Sequence, residues 1–361
     1  MRAARIRLLM LVAVVTALVG MLGLNAVGAV ASTGASGAVR PDSRATPVPG
    51  LGTLDAIACP TAKACVAVGE NTGFSDAKSV AINAATGAVK TWAGGVADVF
   101  PVAVACPAKA RCIAVSDDGV ETVAAANAAM KLTGKVKEPS NGIVAMGAIA
   151  CAGSAACYAV GFEGTEAAST GLLVKISPAG KILSAVKTGG TGIAAIACPS
   201  AGTCLLAEHT KTSELAIPLT SGRLGAARKF PAGTYVQAIG CYAAKLCYAL
   251  AGKANAKGLS RTDELFPLNP KTAAIGKPIS LGSFNGDGLA CDSATQCLVV
   301  GFSGVGAAAL TSVVAVTKGK VQVIRKYPSD LPFDADACAT ARLCYAVGPG
   351  KTANTAVVAA I

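Results

Sequence analysis

The cysteine pattern constrains the fold of this chain more than any other feature. All fourteen cysteines of the 361-residue sequence form pairs with five residues between the partners, as in "IACPTAKACVAVG" (57–69). Successive first cysteines lie 43 to 50 residues apart. The pairs are Cys59 with Cys65, Cys106 with Cys112, Cys151 with Cys157, Cys198 with Cys204, Cys241 with Cys247, Cys291 with Cys297, and Cys338 with Cys344. A β-rich period near 45 residues is typical of propeller blades and other repeat arrays.

Each repeat contains four short segments with strand-like composition. In the first repeat they are "LDAIAC" (54–59), "CVAVG" (65–69), "KSVAINA" (78–84) and "AVKTW" (88–92). In later repeats, "SPAGKI", "TSGRL" and "TKGKV" join the third and fourth segments with glycine-containing hairpin turns. Four antiparallel strands in each of seven repeats, with no helical periodicity, predict an all-β, seven-bladed β-propeller.

The two ends of the repeat region predict how the ring closes. The last repeat stops at Ile361, one strand short, while "SRATPVPG" (43–50) stands where a fourth strand would precede the first repeat. We expect this N-terminal strand to complete the last blade and remove an open sheet edge. Residues 43–361 are therefore predicted to form one domain.

The first residues of the chain have the pattern of an export signal. Three arginines (Arg2, Arg5 and Arg7) precede an apolar run over 8–24, and an A-x-A cleavage pattern stands at Ala29 and Ala31. We predict a signal peptide over 1–31, a flexible leader over 32–42, and a secreted, extracellular or envelope-associated protein. An uncleaved anchor is the alternative, because 17 apolar residues approach the length of a membrane span. No later transmembrane segment is expected.

The cysteine pairs are predicted to be structural disulfides. Exported chains meet an oxidising environment, and residues flanking a hairpin turn face one another at distances that suit a disulfide. We expect a five-residue turn between the two cysteines of each pair. A zinc site would need four ligands from different blades, and redox catalysis favours C-x-x-C, which is absent.

The residues before each first cysteine predict an innermost strand. One and three positions upstream the chain uses only Ala or Gly, and two positions upstream it uses Ile, Val or Leu. Asp336 is the one exception. Alternating small and large residues suit strands that converge on the propeller axis.

The repeat motif resembles that of a known group of proteins. Repeats of the form C-P-x4-C-x-A-V-G resemble the secreted, cysteine-paired seven-bladed propellers of actinobacteria, and are distantly similar to sialidase-like and photosystem-assembly-factor-like propellers. The resemblance covers 43–361 and implies the fold without implying a reaction. The sialidase signature S-x-D-x-G-x-T-W is not met, since "SDDGVET" (116–122) has a misplaced glycine and no tryptophan.

No catalytic residue is assigned from the sequence. His209 is the only histidine and is expected to be a solvated loop side chain, G-x-S-x-G does not occur, and no cysteine is left over as a nucleophile. "GPGKT" (348–352) lacks the upstream glycine and the following helix of a phosphate loop. Whether the protein is an enzyme stays open, with a non-catalytic role favoured.

Acidic residues at one face of the predicted ring are the candidate ligand-binding residues. Four positions before the first cysteines stand Asp55, Gln237, Asp287 and Asp334, and the loops between second and third strands are predicted to add Glu70, Asp117, Glu163 and Glu208. Such a ring at the channel mouth would bind a cationic group or Ca²⁺, the one cofactor considered. Two alternatives remain: an acid/base pair of a secreted glycosidase or lyase, and simple hydrated loop ends.

Basic residues are predicted on the outermost strands. The formal net charge is +12, and loss of the three signal arginines lowers it to +9. Lysine on edge strands prevents sheet-to-sheet aggregation, and it would also bind an anionic envelope polymer or glycan. Nucleic-acid binding is not expected without interleaved aromatic residues. We predict a monomeric binding or scaffold module.

Overall fold

In a computed structural model of the chain, the described residues are 45–73, 75–92, 94–140, 142–165, 168–242, 246–254, 261–291, 296–303, 310–317, 319–327, 333–340, 343–350 and 355–361. The predicted signal peptide and leader lie outside these residues. Every secondary-structure element in the described part is a β-strand, and the strands form seven antiparallel sheets. None of the described segments is a helix long and apolar enough to cross a bilayer.

The N-terminal strand β1 (Thr46–Pro49) belongs to the last sheet, and blades 1 to 3 follow it along the chain. Blade 1 contains β2 (Leu51–Thr61), β3 (Ala64–Asn71), β4 (Asp76–Asn83), β5 (Val89–Thr91) and β6 (Val96–Ala97). Blade 2 contains β7 (Ala103–Ala108), β8 (Arg111–Val115), β9 (Gly119–Ala124) and β10 (Met130–Lys135). Blade 3 contains β11 (Ile143–Cys151), β12 (Cys157–Thr165), β13 (Ala168–Ile176) and β14 (Ile182–Lys187).

Blades 4 to 7 repeat the same strand order. Blade 4 contains β15 (Gly192–Ser200), β16 (Thr203–His209), β17 (Glu214–Thr220), β18 (Arg223–Leu224) and β19 (Arg228–Lys229). Blade 5 contains β20 (Thr234–Tyr242), β21 (Leu246–Ala254), β22 (Arg261–Leu268) and β23 (Ile279–Ser280). Blade 6 contains β24 (Phe284–Cys291), β25 (Gln296–Ser303), β26 (Leu310–Thr317) and β27 (Lys320–Tyr327). Blade 7 contains β28 (Ala335–Thr340), β29 (Leu343–Pro349) and β30 (Thr355–Ala360).

The seven sheets form a closed ring, as the sequence predicts. The first strands of successive blades contact one another, and β28 of blade 7 contacts β2 of blade 1. The fourth strand of blade 7 is β1, which pairs with β30 from Thr46↔Val358 to Pro49↔Thr355. The side chain of Val48 is buried in the core between blades 7 and 1. Two prolines suit this outer strand, because an edge strand has no further partner for a main-chain N–H.

The apolar core is divided among the seams between neighbouring blades. Six seams each contain one cluster that includes the aliphatic residue two positions before a first cysteine. These residues are Ile57, Val104, Ile149, Ile196, Ile239 and Leu289. The seam between blades 6 and 7 contains two smaller clusters instead of one. At that seam the equivalent residue is Asp336.

All seven predicted disulfides are present, each within one blade and each with a Cα–Cα distance of 3.9 Å. The first cysteine of each pair is half-buried, and the second, at the start of the second strand, is buried. The bridges join Cys59 to Cys65, Cys106 to Cys112, Cys151 to Cys157, Cys198 to Cys204, Cys241 to Cys247, Cys291 to Cys297, and Cys338 to Cys344. The buried partners are Cys65, Cys112, Cys157, Cys204, Cys247, Cys297 and Cys344. These cysteines therefore belong to the core and not to the candidate ligand site.

The turn inside the disulfide hairpins differs between blades. The expected five-residue turn occurs in blade 3, where Cys151 pairs directly with Cys157. In blades 1, 2, 4, 5 and 7 that expectation is wrong, because their ladders continue past the cysteines to the pairs Thr61↔Ala64, Ala108↔Arg111, Ser200↔Thr203, Tyr242↔Leu246 and Thr340↔Leu343. In blades 1, 2 and 4 the register shifts next to the first cysteine, where a proline supplies no N–H to the ladder.

Candidate functional site

A β-bulge near the start of the innermost strands sets the geometry of the candidate site. The bulged residue stands four positions before the first cysteine, and the partner strand has no residue opposite it in blades 1, 3, 4, 5 and 6. In blades 2 and 7 the equivalent residue comes just before the strand. We call these seven residues the bulge ring: Asp55, Val102, Gly147, Ala194, Gln237, Asp287 and Asp334. At a bulge the extra side chain points in a different direction, so it does not follow the alternation that places the neighbouring side chains between blades.

The glycine of the C-x-A-V-G motif is explained by this bulge. A Cβ added at Gly69 would collide with the main-chain oxygen of Thr53, two residues before the bulge. The same collision would occur between Gly161 and Ala145 in blade 3. The bulge pushes a carbonyl group against the second strand, and only glycine leaves room for it. The repeated glycine is therefore a structural residue.

Three carboxylates occupy adjacent positions of the bulge ring. Asp287, Asp334 and Asp55 belong to blades 6, 7 and 1, whose innermost strands are in contact. We call these three residues the acidic arc. Asp287 and Asp334 are exposed, and Asp55 is half-buried and accepts a hydrogen bond from Thr53 Oγ1 at 3.3 Å. On blades 2 to 4 the ring carries only apolar or small residues, so its negative charge lies on one side of the axis.

Asp334 has the most perturbed environment within the acidic arc. Its main-chain N–H donates to the carbonyl of Val347 at 2.8 Å, which fixes the start of blade 7. The side chain is accessible to solvent but surrounded by protein on most sides, and this burial raises the pKa of the Asp334 carboxyl to about 6. Asp334 therefore changes charge close to neutral pH.

Gln237 extends the polar part of the bulge ring to blade 5. It is half-buried, and its Nε2 lies 3.5 Å from Oδ2 of Asp263. The same oxygen accepts a bond of 2.6 Å from the main-chain N–H of Gly286 in blade 6. Asp263 is fully buried and joins blades 5 and 6 beneath the ring. Nothing in the sequence singled it out, because the prediction used only loops and innermost strands.

Three of the predicted loop residues do not lie in loops. Glu70, Glu163 and Glu208 are buried near the ends of the second strands β3, β12 and β16. Glu208 accepts a hydrogen bond from the main-chain N–H of Gly190 at 2.9 Å. Glu163 forms an ion pair with Lys187 of β14. Glu163 thus holds the outer strand of its own blade and Glu208 holds the connection from blade 3 to blade 4. A ligand-binding role for all three residues stays a prediction.

Asp117 does lie in a loop, in the short turn between β8 and β9. Its main-chain carbonyl accepts the N–H of Met146 at 3.0 Å, which connects blade 2 to blade 3. The neighbouring Asp118 pairs with Lys135 at 3.3 Å. The structure therefore separates the eight predicted site residues into a group on the bulge ring and a group at the ends of the second strands.

Glu121 and Asp336 are two further residues with buried carboxyl groups that were not predicted as site residues. Glu121 of β9 is fully buried, and Ser116 Oγ donates to it at 3.2 Å. Burial raises the pKa of Glu121 to about 8. In the sequence, Asp336 differs from the other six blades, which have Ile, Val or Leu at this position. That difference was the only sequence feature that pointed to a buried carboxyl there.

The carboxyl group of Asp336 is buried in the seam between blades 6 and 7, although the residue as a whole is half-buried. Its two carboxyl oxygens are inaccessible to solvent and make no hydrogen bond of normal geometry within the described part of the chain. A Cβ added at Gly288 would lie 2.6 Å from Oδ1, so glycine at this position of blade 6 makes room for the carboxyl. Burial raises the pKa of Asp336 to about 8, and nearby main-chain amides of Ala290 and Asp336 offset only part of this effect.

His209 ends β16 and is fixed by two side chains. Its Nδ1 is hydrogen-bonded to Oε1 of the buried Glu214. Its ring stacks on Tyr235, the second residue of β20 in blade 5, with centroids 4.7 Å apart and planes 16° apart. The expectation of a solvated loop histidine is therefore wrong. Glu214 stands opposite His209 in the same hairpin, whereas Tyr235 comes from the next blade, so the local sequence gave no sign of the stacking partner.

The acidic arc is suited to binding a cation. None of the seven residues of the bulge ring is basic, so the ring itself carries only negative charge. Among the described residues, no three His, Cys, Asp or Glu side chains are close enough together to hold a metal ion. Ca²⁺ also takes carbonyl and water oxygens, so the calcium site stays a prediction.

Comparisons with known proteins agree on the fold. No protein-family model and no curated protein sequence matches the chain. A structure described as "YCF48 bound to D1 peptide" is similar over 88% of this chain and 95% of its own, with a TM-score of 0.60 and 9% identity. A chain of the "Mitotic Checkpoint Complex" is similar over 93% and 99%, with a TM-score of 0.62 and 8% identity. The "RRP9 WD40 repeats" are similar over 88% and 99%, with a TM-score of 0.59 and 9% identity. By its fold, the chain is a seven-bladed β-propeller.

Proposed function

We propose that this protein is a secreted, non-catalytic binding module that holds a positively charged segment of a partner over the acidic arc. The observation that carries the proposal is the placement of Asp287, Asp334 and Asp55 on the bulge ring of three adjacent blades. A rigid ring that presents carboxylates in a fixed arrangement binds a cationic side chain without ordering loops first. Seven disulfides support an oxidising, extracellular location.

The fold neighbours support a peptide or protein as the partner. One neighbour is described as bound to a peptide, and another belongs to a multiprotein complex. Since these likenesses concern the fold alone, the chemistry of the partner comes from this chain's own residues. Carboxylates on one side of the ring favour lysine or arginine side chains.

Binding of a lysine octapeptide to the purified protein tests the proposal. We expect the double variant Asp287→Asn with Asp334→Asn to bind the peptide about tenfold more weakly, since each exposed charge pair contributes up to about 1 kcal/mol. Because the pKa of Asp334 is raised to about 6, wild-type affinity should also fall as the pH drops from about 7 to about 5. Isothermal titration calorimetry at low salt gives both results.

A matched control removes the same charge elsewhere. The double variant Asp98→Asn with Glu138→Gln changes two exposed acids on the connections between blades and should leave the affinity within about twofold. Equal losses in both double variants would show a net-charge effect and reject the acidic arc as the site. Glycan cleavage that disappears in Asp334→Asn would instead favour the glycosidase, because a carboxyl with a raised pKa suits a general acid.

A further inference from the structure

The outermost strand of blade 6 presents a long open edge at the rim of the ring. β27 contains eight residues, whereas the outermost strands described in the other blades contain two to six. It pairs with β26 on one side, and no other described strand pairs with its outer side. The main-chain N–H and C=O groups along such an outer side are a template for a further strand. β27 is therefore the part of the rim best suited to pair with an extended segment.

Two exposed valines of β27 lie on the side of the strand that faces blade 5. Val321 and Val323 stand opposite Val316 and Val314 of β26, which belong to the core cluster between blades 5 and 6. Val321 is 38% exposed and Val323 is 47% exposed. The outermost strand of blade 5, β23, contains only two residues and leaves these valines uncovered. The core between blades 5 and 6 thus continues onto the surface as an apolar strip.

The exposed charged side chains described at this part of the rim are basic. Lys320 begins β27 and Lys326 stands near its end, and both are exposed. Lys271 and Lys277 are exposed in the connection between β22 and β23 of blade 5. Arg325 already donates to the carbonyl of Ala360 at 3.0 Å and is left out of the site.

The described acidic side chains of blades 5 and 6 do not face the two valines. Leu265 of β22 belongs to the cluster between blades 5 and 6, so the neighbouring Glu264 points to the other side of the strand, towards blade 4. Asp263 is fully buried and accepts the main-chain N–H of Gly286. Asp287 lies on the innermost strand β24 and not at the rim. The described surroundings of the β27 edge therefore favour acidic side chains on a partner.

We propose that the edge of β27 is a docking site for an extended, acidic segment of a partner protein, which adds to blade 6 as a further strand. Apolar side chains in the middle of the segment contact Val321 and Val323. Acidic side chains at its two ends face Lys320 and Lys326. In strand addition, main-chain hydrogen bonds supply affinity and side chains supply specificity. A second copy of this chain is a poorer occupant, because pairing of two β27 edges brings lysines next to lysines.

Binding of two heptapeptides of equal charge, both with blocked ends, tests the proposal. Glu-Glu-Val-Thr-Val-Glu-Glu should bind more tightly than Glu-Glu-Ser-Thr-Ser-Glu-Glu in isothermal titration calorimetry at low salt. The double variant Val321→Ser with Val323→Ser should weaken binding of the valine peptide about threefold to tenfold, since apolar contact is lost, and leave the serine peptide within about twofold. Lys320→Gln with Lys326→Gln should weaken binding of both peptides about threefold to tenfold, because two exposed charge pairs are lost.

A matched control and a main-chain readout complete the test. Lys131→Gln with Lys137→Gln removes two exposed charges on and just after β10 of blade 2, and should change neither affinity by more than about twofold. The amides of residues 320–327 should exchange hydrogen more slowly when the valine peptide is bound. Unchanged thermal midpoints and far-ultraviolet circular dichroism would show that each variant is folded.

Three results would overturn the proposal. Equal affinity for both peptides, or unchanged exchange in β27, would reject strand addition and indicate attraction of any polyanion to the rim. Failure of both peptides to bind would reject the site. Dimerisation of the free protein that protects the same amides would show that a second copy occupies the edge. Because the edge of β27 is on the outermost strand and the acidic arc is on the innermost strands, none of these results bears on the proposed function.

Discussion

At the scale of single residues, Asp336 is the clearest departure from the repeat. In six seams an aliphatic side chain at this position joins the apolar residues into one cluster, and in the seventh a carboxyl divides them into two. Gly288 replaces the alanine found at the equivalent position of the other blades. Gly288 of blade 6 and Asp336 of blade 7 are therefore exceptions that occur together, because the glycine leaves room for the carboxyl.

Replacement of Asp336 by leucine should stabilise the protein. A buried carboxyl without good hydrogen bonds costs free energy, so Asp336→Leu should raise the free energy of unfolding at neutral pH by about 1–3 kcal/mol. Denaturant titration measures this quantity. A destabilised Asp336→Leu would show that the carboxyl has a partner that the geometry does not reveal.

The same residue predicts how stability depends on pH. The carboxyl has a pKa of about 8 in the folded chain and an ordinary value of 3.8 when unfolded, so the folded state holds an extra proton between these values. The free energy of unfolding should therefore fall as the pH rises from about 4 to about 8. Asp336→Asn should show a smaller slope than wild type, and Glu121, with its raised pKa, should account for part of the slope that remains. Equal slopes in both proteins would contradict the assignment.

At the scale of strands and hairpins, the sequence predicted the strands well and their irregularities poorly. The four segments marked in the first repeat correspond to β2, β3, β4 and β5. The bulge at Asp55 was not predicted, because a bulge depends on the register of the partner strand and not on the strand's own composition. For the same reason, Glu70, Glu163 and Glu208 were placed in loops when their strands in fact continue.

Loss of one disulfide should have a local and moderate effect. The bridge between Cys151 and Cys157 closes a loop of only a few residues, for which the loop-entropy model gives about 2 kcal/mol. The double variant Cys151→Ala with Cys157→Ala should lower the free energy of unfolding by about this amount and keep peptide binding. Chemical denaturation and calorimetry measure the two effects. Complete unfolding of the variant would show that the hairpin supports more than its own blade.

At the scale of the whole molecule, ring closure joins residues that are far apart in the sequence. The acidic arc exists because blade 7 contacts blade 1, and this adjacency followed from seven equal repeats and a missing last strand. The sequence therefore predicted that these three residues stand on adjacent blades once closure was assumed. It did not show the pair formed by His209 and Tyr235, since neither residue belongs to the repeated pattern.

Disruption of β1 should destabilise the entire ring. Val48 is 3% exposed in the core between blades 7 and 1, so Val48→Asp would bury a charge without a partner. We expect a loss of at least about 3 kcal/mol, measured by thermal or denaturant unfolding. Thr46→Asp, on an exposed position of the same strand, should cost less than about 0.5 kcal/mol. Similar losses in both variants would mean that the strand tolerates no added charge, whatever its burial.

Every cross-link in this protein joins partners six positions apart. Each can form as soon as its own short stretch of chain reaches an oxidant, long before the circle is complete. Formation of each bridge therefore needs only local chain, whereas the pairing of the first strand with the last needs the full length of the ring. A protein with fourteen thiols thus avoids the sorting problem that such a number would otherwise create, because the correct partner is always the nearest one.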